Sequence, residues 1–210
     1  MRICPAKACS RYSMTTCMSD IICVTNRKLC REDFLTRLGR IADEKPLMII
    51  LREKDLPEEE YRELAKKAQE ICSSRGVPLV LHTFYDVAIE LGVERIHMPL
   101  GVLREMPKEK KRYFTQIGAS CHSVEDVLEA EKLGATYVTA GHIFATDCKK
   151  GVPPRGTEFL EAVCREASVP VYAIGGITEE KMPLIRRCGA SGACMMSFFF
   201  SRCRSLTRLP

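Results

Sequence analysis

The sequence lacks any apolar run approaching the ~20 residues that a membrane-spanning helix needs. Residues 1–20 contain no continuous apolar stretch of the kind a secretory leader carries. Neither a membrane span nor an export signal is therefore expected, and the expected compartment is the cytoplasm. Paired cysteines are missing as well. The 12 cysteines are scattered, with no CxxC and no CxxH spacing, which argues against structural zinc and, in the cytoplasm, for reduced thiols. Cys23, Cys72 and Cys194 lie inside apolar runs, where cysteine behaves as a small hydrophobe. The body of the chain lacks net charge. Arg2, Lys7 and Arg11 against Asp20 leave +2 at the front, and Arg202, Arg204 and Arg208 supply +3 at the back, which accounts for the whole net charge of +5. Residues 21–197 are near neutral and offer no basic face for nucleic acid. No helix-turn-helix pattern is present. Nucleic acid and membrane are thus not expected partners.

What is present is a repeating alternation. The 210 residues, 46% hydrophobic and 28% charged, suit one soluble domain with a buried core. From residue 20 onward, short runs rich in Ile and Val read as buried parallel strands: 21–25, 47–51, 78–82, 94–98, 116–120, 136–140, 170–174 and 192–196. Amphipathic segments lie between them. In 57-PEEEYRELAKKAQEICSSRG-76, the residues Tyr61, Leu64, Ala65, Ala68, Ile71 and Cys72 share one helical face, Pro57 and three glutamates suit the first turn, and Gly76 suits the stop. In 123-SVEDVLEAEKLGA-135, Ser123 is a good N-cap and Gly134 closes the helix. Eight strand-like runs, most followed by helices, predict an α/β fold of the (β/α)8 TIM-barrel type as a single domain. An open doubly wound sheet is the alternative, and eight units are hard to fit in one of this size. The barrel is expected over residues 18–200, with irregular tails at 1–17 and 201–210 and an incomplete final helix.

Barrels place function at the C-terminal ends of their strands. Those ends offer Arg52 and Lys54 after strand 2, His82 and Thr83 after strand 3, His97 in strand 4, and Cys121 and His122 after strand 5. The segment 141-GHIFATDCKKG-151 follows strand 6, Gly175–Gly176 follows strand 7, and Ser197 follows strand 8. A glycine pair between strand and helix lets backbone N–H groups close on an anion, although it also serves as a plain tight turn. Arg52 and Lys54 suit a phosphate or carboxylate; with Glu53 and Asp55 interleaved they equally suit a solvated charge cluster. Lys149 and Lys150 are either an anion clamp or solvated loop charges. No two of the four histidines have the i, i+4 spacing of a helical metal site, and few carboxylates accompany them. No metal site is expected.

At these strand ends the chain resembles the thiamine phosphate synthase/TenI superfamily over about residues 20–197. The segments 51-LREKD-55, 131-EKLGATYVTAGHIFATDCKKG-151 and 172-YAIGGIT-178 and the strand end at Ser197 carry the resemblance. GHIFATDCKKG is similar to the thiazole tautomerase branch. The synthase pattern has Mg²⁺-binding carboxylates after strands 3 and 4, where this chain reads 82-HT-83 and 97-HMPLGV-102. Thr83 and Val102 cannot replace them for a hard cation. The resemblance therefore implies a cofactor-free tautomerase that isomerises a carboxythiazole phosphate tautomer to the aromatic 2-carboxy-4-methylthiazol-5-ylethyl phosphate. His122, in 120-SCHS-123, matches the family's proton-transferring histidine, at a helix start whose dipole favours a neutral imidazole. Gly175, Gly176 and Ser197 would hold the phosphate, with Arg52, Lys54 and Lys149 as candidates for the anionic groups and His82, His97 and His142 as candidate pocket residues. Two alternatives remain: Mg²⁺-dependent thiamine phosphate synthase, and a non-catalytic regulator that binds a thiazole or thiamin phosphate. The expected partner is a small thiazole phosphate; a homo-oligomer is left open.

Overall fold

The computed structural model describes residues 18–200. Both expected tails, 1–17 and 201–210, lie outside the described residues. Eight parallel strands close on themselves in sequence order: β1 (Ile21–Val24), β2 (Met48–Leu51), β3 (Leu79–His82), β4 (Arg95–Pro99), β5 (Gln116–Cys121), β6 (Tyr137–Gly141), β7 (Val171–Ile174) and β8 (Gly192–Met195). The closure pairs Ile21 with Ala193 and Cys23 with Met195. The expected (β/α)8 barrel is thus the observed fold, and the open sheet is excluded.

The helices are α1 (Phe34–Asp43), α2 (Glu58–Ser74), α3 (Tyr85–Glu90), α4 (Leu100–Glu105), α5 (Lys108–Lys111), α6 (Val124–Lys132), α7 (Gly156–Glu166), α8 (Met182–Arg187) and α9 (Ser197–Phe200). In α2 the expected face is the buried one, through Tyr61, Ala65, Ala68 and Cys72. Pro57 stands just before the first turn rather than in it, and Glu58, Glu59 and Glu60 fill that turn. α9 extends one turn to the edge of the described residues. There Phe200 stacks on Phe34 at 6.0 Å, and the nearly buried Arg37 donates from Nε to the Phe199 carbonyl at 2.8 Å. No helix among the described residues is long and apolar enough to cross a membrane. The eight described cysteines are free, and Cys23, Cys72, Cys121, Cys188 and Cys194 are buried.

The pleat sorts each strand into two faces. Ile21, Cys23, Ile49, Leu51, Leu79, Leu81, Ala119 and Cys121 belong to the large core under the helices. Their neighbours Ile22, Val24, Met48, Ile50, Val80, Tyr137 and Cys194 form a second cluster that fills the barrel interior. The inward positions continue upward into the mouth, so each strand's parity decides which of its end residues meets a ligand.

Candidate functional site

At the C-terminal ends of the strands lies a cavity of ≈ 290 Å³, at the small end of the range for small-molecule sites. Arg52, Lys54, His82, His122, His142, Lys149, Gly175, Gly176 and Ser197, all singled out from sequence, line it. His97 does not. It lies beneath, 4% exposed, with Nδ1 3.1 Å from the Tyr137 hydroxyl and Nε2 2.9 Å from Ser120 Oγ. Lys150 is also outside the lining and pairs with Asp147 on the exposed side of the loop. A shallower groove between α1 and α2 is lined by Asp33, Glu59, Glu60 and Glu63 against Arg27 and Lys67, so acids outnumber bases there.

Parity explains the β2 end. Arg52 and Lys54 face the cavity while Glu53, between them, turns to the outer, helix-facing side like Leu51 and is 3% exposed. Glu53 accepts from the Thr25 hydroxyl at 2.7 Å and from the Arg27 amide at 3.1 Å, which ties β1 to β2. Burial pushes its carboxyl up. The interleaved acids are therefore not a uniform solvated cluster: Glu53 is a buried tie, and only Asp55 sits at the surface, paired with Arg27 and Lys28. Burial lowers both Arg52 and Lys54, and Lys54 is lowered further by Arg52 and Lys149. The loop after β6 thus reaches across to β2. It is not wholly irregular, since Asp147–Lys149 forms a short 3₁₀ turn that carries the exposed Cys148.

The β3 end is held by α2. The Tyr61 hydroxyl donates to the Leu51 carbonyl at 2.7 Å and accepts from the His82 amide at 2.9 Å. His82 Nδ1 meets the Thr83 hydroxyl at 2.8 Å. Thr83 has φ +73°, a costly region for a β-branched residue. Burial, then His97, Arg52 and Lys54, push His82 down to about 2, and burial, then Arg52, pushes His97 down to about 3. Both rings are neutral at ordinary pH.

His122 is fixed by a reciprocal cap. Ser123 Oγ accepts from the Asp126 amide at 3.0 Å, and Asp126 Oδ2 accepts from the His122 amide at 2.7 Å. His122 Nδ1 lies 2.8 Å from the Gly141 carbonyl. A carbonyl only accepts, so Nδ1 carries the proton and a neutral ring presents its lone pair at Nε2. Cys121, one residue back, has the opposite parity; it is buried among the helices, and burial pushes its thiol up to about 12. It takes no part in the cavity.

The glycine pair is required by geometry before any ligand is considered. Gly175 and Gly176 have φ +100° and +64°, and a Cβ on them would stand 2.2 Å from His142 Cβ and 2.3 Å from the Ala145 carbonyl oxygen. The turn packs directly on the loop after β6. Its Gly176 and Ile177 amides, with that of Ser197, find no acceptor among the described residues. Lys181 donates to the Gly176 carbonyl at 2.6 Å and stands 4.3 Å over the Phe144 ring. Sequence reasoning passed over Lys181, Ser120, Thr139, Thr146, Cys148 and Met196. Period-2 parity with His122 is the signal that would have found Ser120.

The Mg²⁺ implied by the synthase pattern does not fit these donors. Among the described residues no carboxylate lines the cavity, Thr83 and Val102 offer none, and the buried Glu53 is committed to Thr25 and Arg27. Among the described residues no three His, Cys, Asp or Glu side chains gather to hold a metal.

Residues 21–199 match the family described as thiamine monophosphate synthase. The thiamine-phosphate synthase of Syntrophomonas wolfei is 33% identical over 181 residues, covering 83% of this chain and 85% of that one. Thiamine-phosphate synthase 2 of Streptococcus pneumoniae is 31% identical over 179 residues, 82% and 83% of the two chains. Among solved structures, thiamine phosphate pyrophosphorylase from Pyrococcus furiosus superposes with a TM-score of 0.75 at 26% identity, covering 89% of this chain and 90% of that one. With that match spanning nearly every described residue, the chain belongs to the thiamine monophosphate synthase family.

Proposed function

We propose that this member of the family is an enzyme of thiamine biosynthesis acting as a thiazole tautomerase, an isomerase that needs no metal. The observation that carries the reading is His122. Its Nδ1 is committed to the Gly141 carbonyl, so Nε2 is the free base, in a cavity lined by three cations and no carboxylate.

The substrate would be the non-aromatic carboxythiazole phosphate. Its phosphate suits the open amides of Gly176, Ile177 and Ser197, and its carboxylate suits Arg52, Lys54 and Lys149. Clustered cations without a counter-ion repel one another, and an anion relieves that repulsion. His122 Nε2 takes a proton from one carbon, the electron pair enters the ring π-system, and the imidazolium returns the proton at the second carbon. Charge that develops on the carboxylate during this step is met by the cations. Aromaticity of the product supplies the driving force.

Thiamine-phosphate synthase is the second reading, favoured by the names the relatives carry. It couples a pyrimidine pyrophosphate to a thiazole phosphate with Mg²⁺. One assay separates the two. Purified protein is mixed with the tautomer, or with the two synthase precursors, each with and without Mg²⁺. Growth of the near-ultraviolet thiazole signal without Mg²⁺ is expected; turnover only of the precursors, and only with Mg²⁺, would establish the synthase instead.

A further inference from the structure

The buried group beneath the cavity, Tyr137–His97–Ser120, has a definite direction. In the sheet register His97 lies beside Gly118 and Gly118 beside Tyr137. All three have the inward parity. Gly118 has no side chain, so the outer two reach each other over it; a Cβ there would stand 2.2 Å from Tyr137 Cζ and 2.3 Å from His97 Nδ1. The result is a hydrogen-bond chain from the Tyr137 hydroxyl to His97 Nδ1 at 3.1 Å, and from His97 Nε2 to Ser120 Oγ at 2.9 Å.

Proton accounting sets the direction. The Tyr137 hydroxyl is buried, and among the described residues its one hydrogen-bond partner is His97 Nδ1. Its single proton must go there, or remain an unsatisfied donor in the core. Burial keeps His97 neutral, so the ring has one proton, and Nδ1 is already an acceptor. That proton is on Nε2 and is donated to Ser120 Oγ. Ser120 Oγ has no other hydrogen-bond partner among the described residues, and Ser120 lines the cavity two residues before His122. Its own O–H is left to point into the cavity.

We propose that Tyr137 and His97 are positioning residues that turn the Ser120 hydroxyl into a dedicated hydrogen-bond donor to an anionic oxygen of the substrate. This deepens, and for its substrate rests on, the reading of the site as one for a carboxylated thiazole phosphate. Without Tyr137, the His97 proton is free to move to Nδ1. Ser120 then spends its proton on Nε2, and the cavity loses a donor while every side chain stays in place.

The test has two parts on the full chain. ¹⁵N NMR of the ligand-free protein reads the His97 tautomer: Nε2–H is expected in the wild type, with a shift toward Nδ1–H in Tyr137→Phe, which keeps the ring and its packing. Titration with the aromatic carboxythiazole phosphate is then compared among wild type, Ser120→Ala, Tyr137→Phe and the double variant. Each single change is expected to weaken binding by roughly 5- to 10-fold, and the double variant to bind no more weakly than Ser120→Ala alone. An Nδ1–H tautomer in the wild type, or losses that multiply in the double variant, would overturn the proposal. If the wild type fails to bind this compound, the assignment of substrate falls, while the tautomer, measured without ligand, still decides the direction of the chain.

Discussion

The two sectors of the cavity differ in kind. Around β3 to β5 stand His82, Ser120 and His122, with His97 buried beneath them, rings and hydroxyls tied into hydrogen bonds with Thr83, Tyr137 and Gly141. Around β2, the loop after β6 and the β7–β8 ends stand Arg52, Lys54, Lys149 and amides with no acceptor among the described residues. On the proposed reading the first sector holds and moves protons and the second attracts anions. In a carboxylate-rich, Mg²⁺-holding version of the first sector the two would be electrostatically coupled through the metal. Here Thr83 and Val102 stand at those positions beside buried neutral histidines, and on the proposed reading the cationic sector meets the anionic substrate alone.

The sharpest way to break this division is His122→Asn. It is expected to lower the rate of aromatisation by about 10²–10⁴, while the aromatic product binds within a few-fold of wild type. Stopped-flow absorbance and calorimetric titration read the two quantities. Retained turnover would remove His122 from the chemistry.

A second test addresses the neutral sector through stability. His82 and His97 have folded values near 2 and 3, below the ordinary value of about 6.5. Above pH 6.5 neither state binds the extra proton, and their contribution is fully present. As the pH falls below 6.5 the unfolded chain takes up protons that the folded chain refuses, so stability is lost progressively down toward pH 3 and 2. The expected loss is on the order of 1 kcal/mol per pH unit per histidine. Urea unfolding between pH 7 and pH 4 measures it, and His97→Gln should remove about one proton from the slope. An unchanged slope in that variant would mean that His97 is not buried neutral.

The cationic sector is tested by Arg52→Met, which keeps length and apolar bulk. Product affinity is expected to fall by about 10- to 100-fold, the scale of one charge-assisted hydrogen bond, with the loss shrinking at high salt. The smallest effect is expected from Lys181→Met. Lys181 touches the Gly176 carbonyl rather than the cavity, so KM should rise several-fold with kcat nearly unchanged. A fall in kcat with KM intact would place Lys181 in the chemistry instead.

The barrel was legible because eight short apolar runs alternate with amphipathic helices, and all eight runs hold strands. The site was legible only in outline. Arg52, Lys54, His122, Gly175, Gly176 and Ser197 could be listed as strand-end residues, and the resemblance supplied their roles. Whether Glu53 belonged with Arg52 and Lys54 was not readable from spacing. The answer depends on strand parity at the β2 end, which turns Glu53 toward Thr25 and Arg27. His97 looked like a pocket residue for the same reason. It has inward parity but lies one level down, and depth in a barrel follows from the register between strands, which no single strand encodes.

By itself the sequence determined the strand count, the helical faces, the cap that anchors His122 and the absence of carboxylates after β3 and β4. These are local properties, set by periodicity, by residues three apart, or by residue type at one position. The tertiary structure alone decided that Nδ1 of His122 meets the Gly141 carbonyl, that the loop after β6 brings Lys149 to Arg52 and Lys54, and that Tyr137 reaches His97 across Gly118. Those contacts join residues 19 to about 100 positions apart. They exist because barrel closure brings strand ends and loops together around one axis, a condition that only the whole ring of eight strands imposes.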